Sequence, residues 1–359
     1  MEPEEVKRQV GLLHQQGFGG YFMHSRIGLE TPYMGEEWMA AIAAGIEAAY
    51  EYDMEAWLYD EDKWPSGFAG GLVPEKGEAY RAKGLEARIL DASSVSSLWE
   101  EAGLGLLSAP RLLYRLEFDE EGGLKSFSRL EQAPSPDEAG KFLLCRGRVA
   151  IEGEEWYNGQ SYVDLMDANV TQAFIECTHE PYKEAFAEHF GPNVPGIFTD
   201  EPNVATPPGP FLSPWTSSLP ERFQTEWGYD LLERLPLLFL SAEGSAEVRR
   251  DYWTTITLLF RDNFSKPFGA WCEENGIAMT GHYLAEDSLV DQIRTSGAVM
   301  PHYPYMQVPG IDHLGRNIYN PLTLKQVSSV AHQMGRTRVL CEIFGVSGHS
   351  MSFADQKWI

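Results

Sequence analysis

Residues 196–203 (GIFTDEPN), near the middle of the chain, begin with a short apolar run that is followed directly by two adjacent acids and then by a proline. An apolar run bounded by glycine and proline is typical of a buried strand. Asp200 and Glu201 therefore come at the end of that strand, where a buried carboxylate requires a partner, water or a raised pKa. In a parallel α/β barrel this edge carries the chemistry. Acids that only cap the following turn are the plainer interpretation.

Segments with a strand pattern alternate with segments of helical period along most of the chain, which predicts a parallel sheet. A dinucleotide-binding sheet is excluded because no glycine-rich turn follows the first strand, and the P-loop and G-x-S-x-G motifs are also absent. Polar or aromatic residues follow every strand, which favours an α/β fold of the (β/α)8 TIM-barrel type. The six predicted strands are Tyr21–Met23, Ala56–Tyr59, Gly196–Asp200, Ile277–Thr280, Ala298–Met300 and Arg338–Phe344.

The alternation stops between residues 71 and 165, where Arg111–Phe118 and Lys141–Ile151 are predicted to be strands separated by turns that contain glycine and proline. We therefore predict an inserted, β-rich subdomain at this place. A proline-rich segment, 206–214, is predicted to be a loop over the site. The predicted parts are 1–70 (first part of the barrel), 71–165 (insertion) and 166–359 (the rest of the barrel, truncated before its last strand).

The net charge, the cysteines and the absence of targeting segments limit which functions and which cellular locations are expected. A net charge of -25 argues against a nucleic-acid partner, which needs a basic face. The four cysteines show no C-x-x-C spacing, so neither a disulfide framework nor a zinc site is predicted. No segment has the length of a membrane span and no signal peptide is visible, which favours a cytoplasmic protein, with secretion still open. The oligomeric state is not predicted.

The residues that follow the predicted strands include imidazoles, carboxylates and aromatic rings, which are suited to holding a sugar. Each kind also has a plainer interpretation, as a structural histidine, a charged loop that pairs within itself, or core packing. Three histidines at equivalent strand ends, without the spacing of zinc ligands, favour a shared site. The candidate substrate-binding residues are His24, Arg26, Asp60, Asp62, Trp64, Asp200, His282, Tyr283, His302 and Tyr303.

Four segments, in order along the chain, resemble glycoside hydrolase family 106, which comprises α-L-rhamnosidases and their relatives. The longest of these segments is WLYDEDKWPSGFAGG, and it is also the most specific. The four segments are Gly20–Arg26 (GYFMHSR), Trp57–Gly71, Phe198–Pro202 (FTDEP) and Cys341–Gly345 (CEIFG). The resemblance implies a (β/α)8 catalytic domain and a glycoside as the substrate.

The resemblance also implies an inverting mechanism, with Glu201 as the general acid and Glu342 as the general base. It implies a dependence on Ca²⁺, for which Asp60, Glu61 and Asp62 offer oxygen ligands; a loop in which these acids pair with Lys63 and Arg26 is the alternative. No other cofactor is indicated, and no metal ligand is assigned. The family pattern begins before Met1 and continues past Ile359, so we expect a barrel that is incomplete at both ends. Whether the isolated chain is active stays open at this point.

Two other functions stay open at this point. In a retaining glycosidase of the same barrel type, Glu342 is the nucleophile. Retaining barrels usually place asparagine before the acid/base glutamate, whereas Asp200 stands there in this chain, which disfavours that alternative. A non-catalytic carbohydrate-binding barrel is the second alternative.

Overall fold

The computed structural model of the chain describes residues 2–101, 111–204, 212–317 and 320–359. None of the helices in these ranges is both long and apolar enough to cross a membrane. The strands are β1 (Gly20–Phe22), β2 (Glu55–Tyr59), β3 (Lys83–Leu90), β4 (Arg111–Phe118), β5 (Leu124–Leu130), β6 (Lys141–Val149), β7 (Gly196–Asp200), β8 (Leu212–Pro214), β9 (Ala278–His282), β10 (Val308–His313) and β11 (Leu340–Ile343).

Helices connect most of these strands, which gives the chain a mixed α/β architecture. Two of the longer helical stretches contain a π-helical turn, at Ile175–His179 and Arg261–Ser265. The helices are α1 (Pro3–Gln15), α2 (Glu36–Tyr52), α3 (Ala92–Glu101), α4 (Ala168–Phe174), α5 (Glu180–Phe186), α6 (Leu219–Trp227), α7 (Leu231–Arg234), α8 (Pro236–Phe239), α9 (Ser245–Phe260), α10 (Lys266–Glu274), α11 (Leu289–Ser296), α12 (Leu322–Gln333) and α13 (Phe353–Trp358).

The larger sheet is parallel, and within the described residues its strand order is β1-β2-β7-β9-β10-β11. All five residues of β7 are buried. A strand that is buried on both faces reads as a continuous apolar run, which is why this segment shows no alternation in the sequence. The register pairs Asp200 with His282 and Asp312 with Glu342, so the polar ends of neighbouring strands meet at the same edge.

The parallel sheet is curled. Arg338, just before β11, donates two hydrogen bonds of 3.0 and 2.9 Å to the carboxylate of Glu55 at the start of β2. Its guanidinium also lies 5.4 Å from the ring centroid of Trp57. The second and the sixth strand of the sheet can meet in this way only if the sheet bends round on itself. This confirms an α/β fold with a barrel-like sheet, whereas closure into eight strands is not seen in the described part of the chain.

The predicted strand at Ala298–Met300 is wrong. That segment is a turn after α11, and the strand in question is β10, ten residues further on. Pro309 and Gly310 hide β10 in the sequence, because both residues are depleted in strands. Gly310 is required where it stands, since a Cβ there would lie 2.4 Å from the carbonyl oxygen of Gly281 on β9.

The second sheet has the order β5-β4-β6-β3-β8 and is antiparallel. Four of these strands come from the region predicted as an insertion, and the fifth, Leu212–Pro214, comes from a segment that follows β7. That segment was predicted to be a loop, which is wrong for residues 212–214. Residues 206–211 of the predicted loop lie outside the described residues. The division of the chain at residues 71 and 166 stays a prediction.

A buried ion pair links the second sheet to the segment that leads back to the parallel sheet. Lys83 on β3 lies 3.0 Å from Asp164, and both side chains are almost fully buried. The Lys83 ammonium also donates to the carbonyl oxygen of Ala79 at 2.7 Å. Burial raises the pKa of Asp164, which the charge of Lys83 opposes.

Removal of one partner from this pair leaves an uncompensated buried charge. We therefore expect Lys83→Met to lower the free energy of unfolding by about 3–5 kcal/mol. Urea titration followed by circular dichroism measures this loss. Lys7→Met is the matched control, because Lys7 forms an exposed ion pair with Glu47 and exposed pairs contribute little. Equal loss in the two variants would contradict a stabilising role of the buried pair.

Candidate active site

The site lies where the parallel strands end. Asp200 and His282 are the last residues of β7 and β9, and Glu201 follows directly after Asp200. Asp312 and Glu342 are paired across β10 and β11. Parallel strands place their carboxyl ends at one edge of the sheet, which is where α/β proteins bind their ligands. Four strands therefore contribute ionisable side chains to one place.

His282 is the centre of this cluster. Its Nε2 lies 3.1 Å from Oε2 of Glu342 and 3.7 Å from Oδ1 of Asp200. Burial alone would lower the pKa of His282, but the hydrogen bond with Glu342 and the charge of Asp200 raise it to about 9. At neutral pH the imidazole is therefore a cation held between two carboxylates.

Asp200 is ionised by its surroundings. Tyr59 donates a hydrogen bond of 2.7 Å to its Oδ2, and His24 lies 3.7 Å from the same oxygen. Burial would raise the pKa of Asp200, but His24 and His282 hold it below its usual value. The backbone of Asp200 is also bonded to Ser66 in the loop after β2, which fixes the carboxylate in place.

Glu201 differs from its neighbour in both backbone and charge. Its φ is +49°, in the left-handed region that residues other than glycine seldom adopt. Its N–H donates to the carbonyl oxygen of His282 at 3.0 Å. Burial raises the pKa of Glu201 to about 7, although the charge of His282 opposes this rise. Two adjacent carboxyls with separated pKa values are the pattern by which a site provides an acid and a base.

Asp312 and Glu286 are two further acids of the site that were not among the predicted site residues. One carboxyl oxygen of Asp312 lies within 4.8 Å of Glu201 and His282, and burial raises the pKa of Asp312 to about 6. Glu286 accepts a 2.6 Å hydrogen bond from the N–H of Asp312. Burial raises the pKa of Glu286 to about 7. The signal for Asp312 was the strand Val308–His313, which the sequence pattern concealed, whereas Glu286 follows β9, whose strand was predicted.

A cavity of about 310 Å³ opens beside this cluster, over the ends of β7, β9 and β10. Its lining includes Glu201, Glu286, Asp312, Asn317 and Asn320. Carboxylates accept hydrogen bonds from hydroxyl groups, and side-chain amides both accept and donate them. The cavity therefore presents polar groups next to the carboxyl of Glu201.

Three of the predicted substrate-binding residues lie behind this cavity or only at its wall. Tyr283 lines it, but its hydroxyl is hydrogen-bonded to Ser265, which in turn bonds to Nδ1 of His302. His302 is fully buried, and burial lowers its pKa to about 3. Tyr303 is also buried and donates its hydroxyl to Glu286. His302 and Tyr303 were assigned from the wrong strand, and their positions favour packing over sugar contact.

Asp60 and Glu61 shape the loop after β2. Asp60 is fully buried, accepts a hydrogen bond of 2.5 Å from Ser66, and has a pKa that burial raises to about 8. The carboxylate of Glu61 accepts hydrogen bonds from the backbone N–H groups of Asp62, Gly67, Ala69 and Gly70. Neither acid is exposed to a ligand. By contrast, Trp64 is 41% exposed, and Arg26 and Asp62 line a separate cavity.

The described residues do not fit the calcium ion that the family resemblance implies. Two groups bring donor atoms within 4.8 Å of each other: Asp200, His282 and Glu342, and Glu201, His282 and Asp312. Each supplies two carboxylates and one imidazole, whereas Ca²⁺ takes six to eight oxygen ligands. A protonated His282 has no lone pair to give. In the loop after β2, the oxygens of Glu61 are already satisfied by the backbone.

Comparison with known proteins bears on the fold of this chain. No protein-family model and no curated protein matches the chain. The structure is similar to a rhamnosidase from Novosphingobium sp. PP1Y, with a TM-score of 0.59 and 14% sequence identity over 95% of this chain. The alignment covers 50% of the rhamnosidase, so the chain spans about half of its length. At this identity the likeness shows a shared fold.

A second similar structure is the catalytic domain of a β-amylase from Paenibacillus polymyxa, with a TM-score of 0.34 and 8% identity. It covers 95% of this chain and 88% of the amylase domain. That similarity is too distant to bear on the fold of this chain.

Proposed function

We propose that the protein is a glycoside hydrolase that releases a terminal sugar by inversion, with Glu201 as general acid and Glu342 as general base. The observation that carries this proposal is the pair of glutamates around one imidazolium. Glu342 is hydrogen-bonded to His282, and Glu201 lies within 4.8 Å of the same ring. Glycoside hydrolysis needs one carboxylic acid and one carboxylate at the same sugar.

The two glutamates take different roles in the proposed reaction. Glu201, whose pKa of about 7 keeps a proton available near neutral pH, donates that proton to the oxygen of the leaving group. Glu342 removes a proton from a water molecule, whose oxygen attacks the anomeric carbon as the glycosidic bond breaks. The imidazolium of His282 orients Glu342 and stabilises its charge, so His282 acts as a positioning residue.

The cavity beside Glu201 is where we place the terminal sugar. Asp312 and Glu286 line it and are able to accept hydrogen bonds from sugar hydroxyls. We propose α-L-rhamnose as the sugar and glycoside hydrolase family 106 as the family, on the four sequence segments of the resemblance and on the similarity to a rhamnosidase fold. The same support leads us to propose that the curled sheet belongs to a (β/α)8 barrel.

Turnover of a panel of nitrophenyl glycosides tests this proposal. We expect release of nitrophenol from the α-L-rhamnoside and much slower release from the β-D-glucoside, β-D-galactoside and α-D-mannoside. Glu188→Gln is the control variant, because it changes a surface carboxylate whose side chain is 83% exposed. It should hydrolyse the panel as the wild type does. Binding of rhamnose without any turnover would instead favour the non-catalytic carbohydrate-binding barrel.

A further inference from the structure

A second cavity, of about 230 Å³, lies in the loops that follow β1 and β2. It is lined by residues 26–33, Asp62, Lys63, Gly70 and Asn158. The cavity that contains Glu201 lies instead over the ends of β7, β9 and β10. The two cavities are therefore built from different strands of the same sheet edge, and no described residue lines both.

The polar wall of the second cavity is held in place by its own hydrogen bonds. Lys63 donates to Oδ1 of Asn158 at 2.8 Å, while Nδ2 of Asn158 donates to Asp62 and to the carbonyl oxygen of Gly70, each at 2.9 Å. Asn158 has a φ of +55°, a conformation that asparagine tolerates better than most residues. These groups therefore have fixed positions before any ligand binds.

Two tryptophans stand next to this wall in the chain and touch each other. Trp64 follows Lys63, and its ring lies 5.3 Å from the ring of Trp156 in an edge-to-face arrangement. The indole N–H of Trp156 donates to the carbonyl oxygen of Trp64 at 2.8 Å. Exposed indole next to fixed hydrogen-bonding groups matches a pyranose, which has an apolar C–H face and a rim of hydroxyls.

The second cavity connects to the catalytic cluster through the segment after β1. Ser25 donates its hydroxyl to the carbonyl oxygen of Asp62. The preceding residue, His24, lies 3.7 Å from Asp200, which itself is adjacent to Glu201. His24 and Ser25 therefore link the catalytic cluster to the wall of the second cavity, and β2, which precedes that wall, is the neighbour of β7 in the sheet.

We propose that the second cavity binds the sugar unit on the leaving-group side of the cleaved bond, so that the substrate is a disaccharide or a longer glycan. This inference rests on the proposed function. The cavity wall carries Arg26 and Lys63 against Glu30 and Asp62, so the charges balance and a neutral pyranose is favoured over an anionic one. Lys63 in addition lies 3.8 Å from Asp62.

The test compares two probes that share a glycone but differ at the leaving group. α-L-Rhamnosyl fluoride has no second sugar, whereas the rhamnosyl-glucoses with 1→2, 1→3, 1→4 and 1→6 linkages do. We expect Trp64→Ala and Asn158→Ala each to lower the ratio of kcat/KM for the best disaccharide to kcat/KM for the fluoride by about tenfold, which is the size of one lost stacking contact or hydrogen bond.

Trp358→Ala, which removes a tryptophan that is 77% exposed elsewhere on the surface, is the matched control and should leave this ratio unchanged. A ratio that also stays constant in Trp64→Ala and Asn158→Ala overturns the second sugar site while the proposed function stands. A wild-type protein that hydrolyses neither probe overturns both. The two failures are thus separate observations.

Discussion

Replacement of Glu342 by glutamine is expected to lower kcat by about 10⁴-fold for every leaving group, at the upper end of what a positioned general base contributes. Glutamine keeps the shape of the side chain but cannot take a proton from water. The loss should not depend on the leaving group, because even an activated phenol departs only as water attacks. Steady-state kinetics with nitrophenyl and methyl rhamnosides measure it.

A glutamine oxygen at position 342 can still accept the hydrogen bond from His282, so we expect Glu342→Gln to keep the structure of the site. Unchanged urea unfolding in Glu342→Gln would show that the site keeps its structure. A loss below tenfold would exclude Glu342 as the base. A glycosyl adduct trapped on Glu342 with a fluorinated sugar, and seen by intact mass, would make Glu342 a nucleophile and support the retaining alternative.

Replacement of Glu201 by glutamine has the second largest expected effect, and this effect should depend on the leaving group. We expect kcat/KM to fall by about 10²–10⁴-fold for methyl rhamnoside or a disaccharide, because these leaving oxygens need a proton. For the 2,4-dinitrophenyl rhamnoside the loss should be less than about tenfold, since that phenolate leaves unprotonated. A loss of equal size for both substrates would contradict a role as the general acid.

The pH dependence of kcat/KM tests the role of Glu201 as the general acid independently. Glu201 acts in its protonated form, so kcat/KM of the wild type should fall as the pH rises through the pKa of about 7. Glu201→Gln has no proton to lose there and should lack this alkaline limb. Azide should not restore Glu201→Gln, because an inverting enzyme forms no glycosyl-enzyme for azide to attack; an α-rhamnosyl azide product would contradict inversion.

The parallel sheet could be predicted where its strands are buried and continuous. Gly196–Asp200 and Ala56–Tyr59 are apolar runs with clear ends, and the structure has them as β7 and β2. The local sequence pattern was sufficient to predict these strands, because a strand that is buried on both faces has a continuous apolar sequence.

The candidate site was harder to predict, since the order of the strands in the sheet determines which residues come together there. Pro309 and Gly310 disguised β10, so Asp312 was overlooked and His302 was assigned to a strand end that does not exist. The burial of Asp60 results from the fold of its own loop around Ser66. No local pattern distinguishes an acid that turns back into its loop from one that faces a ligand.

The central position of His282 also could not be predicted from the sequence. The alternation predicted a strand that ends near residue 280, but the pairing of Asp200 with His282 is a matter of register between β7 and β9. One residue of slip would turn the imidazole to the other face of the sheet. The resemblance, by contrast, implied Glu201 and Glu342 without any knowledge of the register.

The anomer that forms first is the most direct test of the assignment of Glu201 and Glu342 as an inverting acid and base pair. Hydrolysis of nitrophenyl α-L-rhamnoside at high enzyme concentration, followed by ¹H NMR from the first minutes, reports this anomer before mutarotation mixes the two. The proposed mechanism predicts β-L-rhamnose as the first product. First appearance of α-L-rhamnose would contradict it, because two successive displacements at the anomeric carbon would then be required.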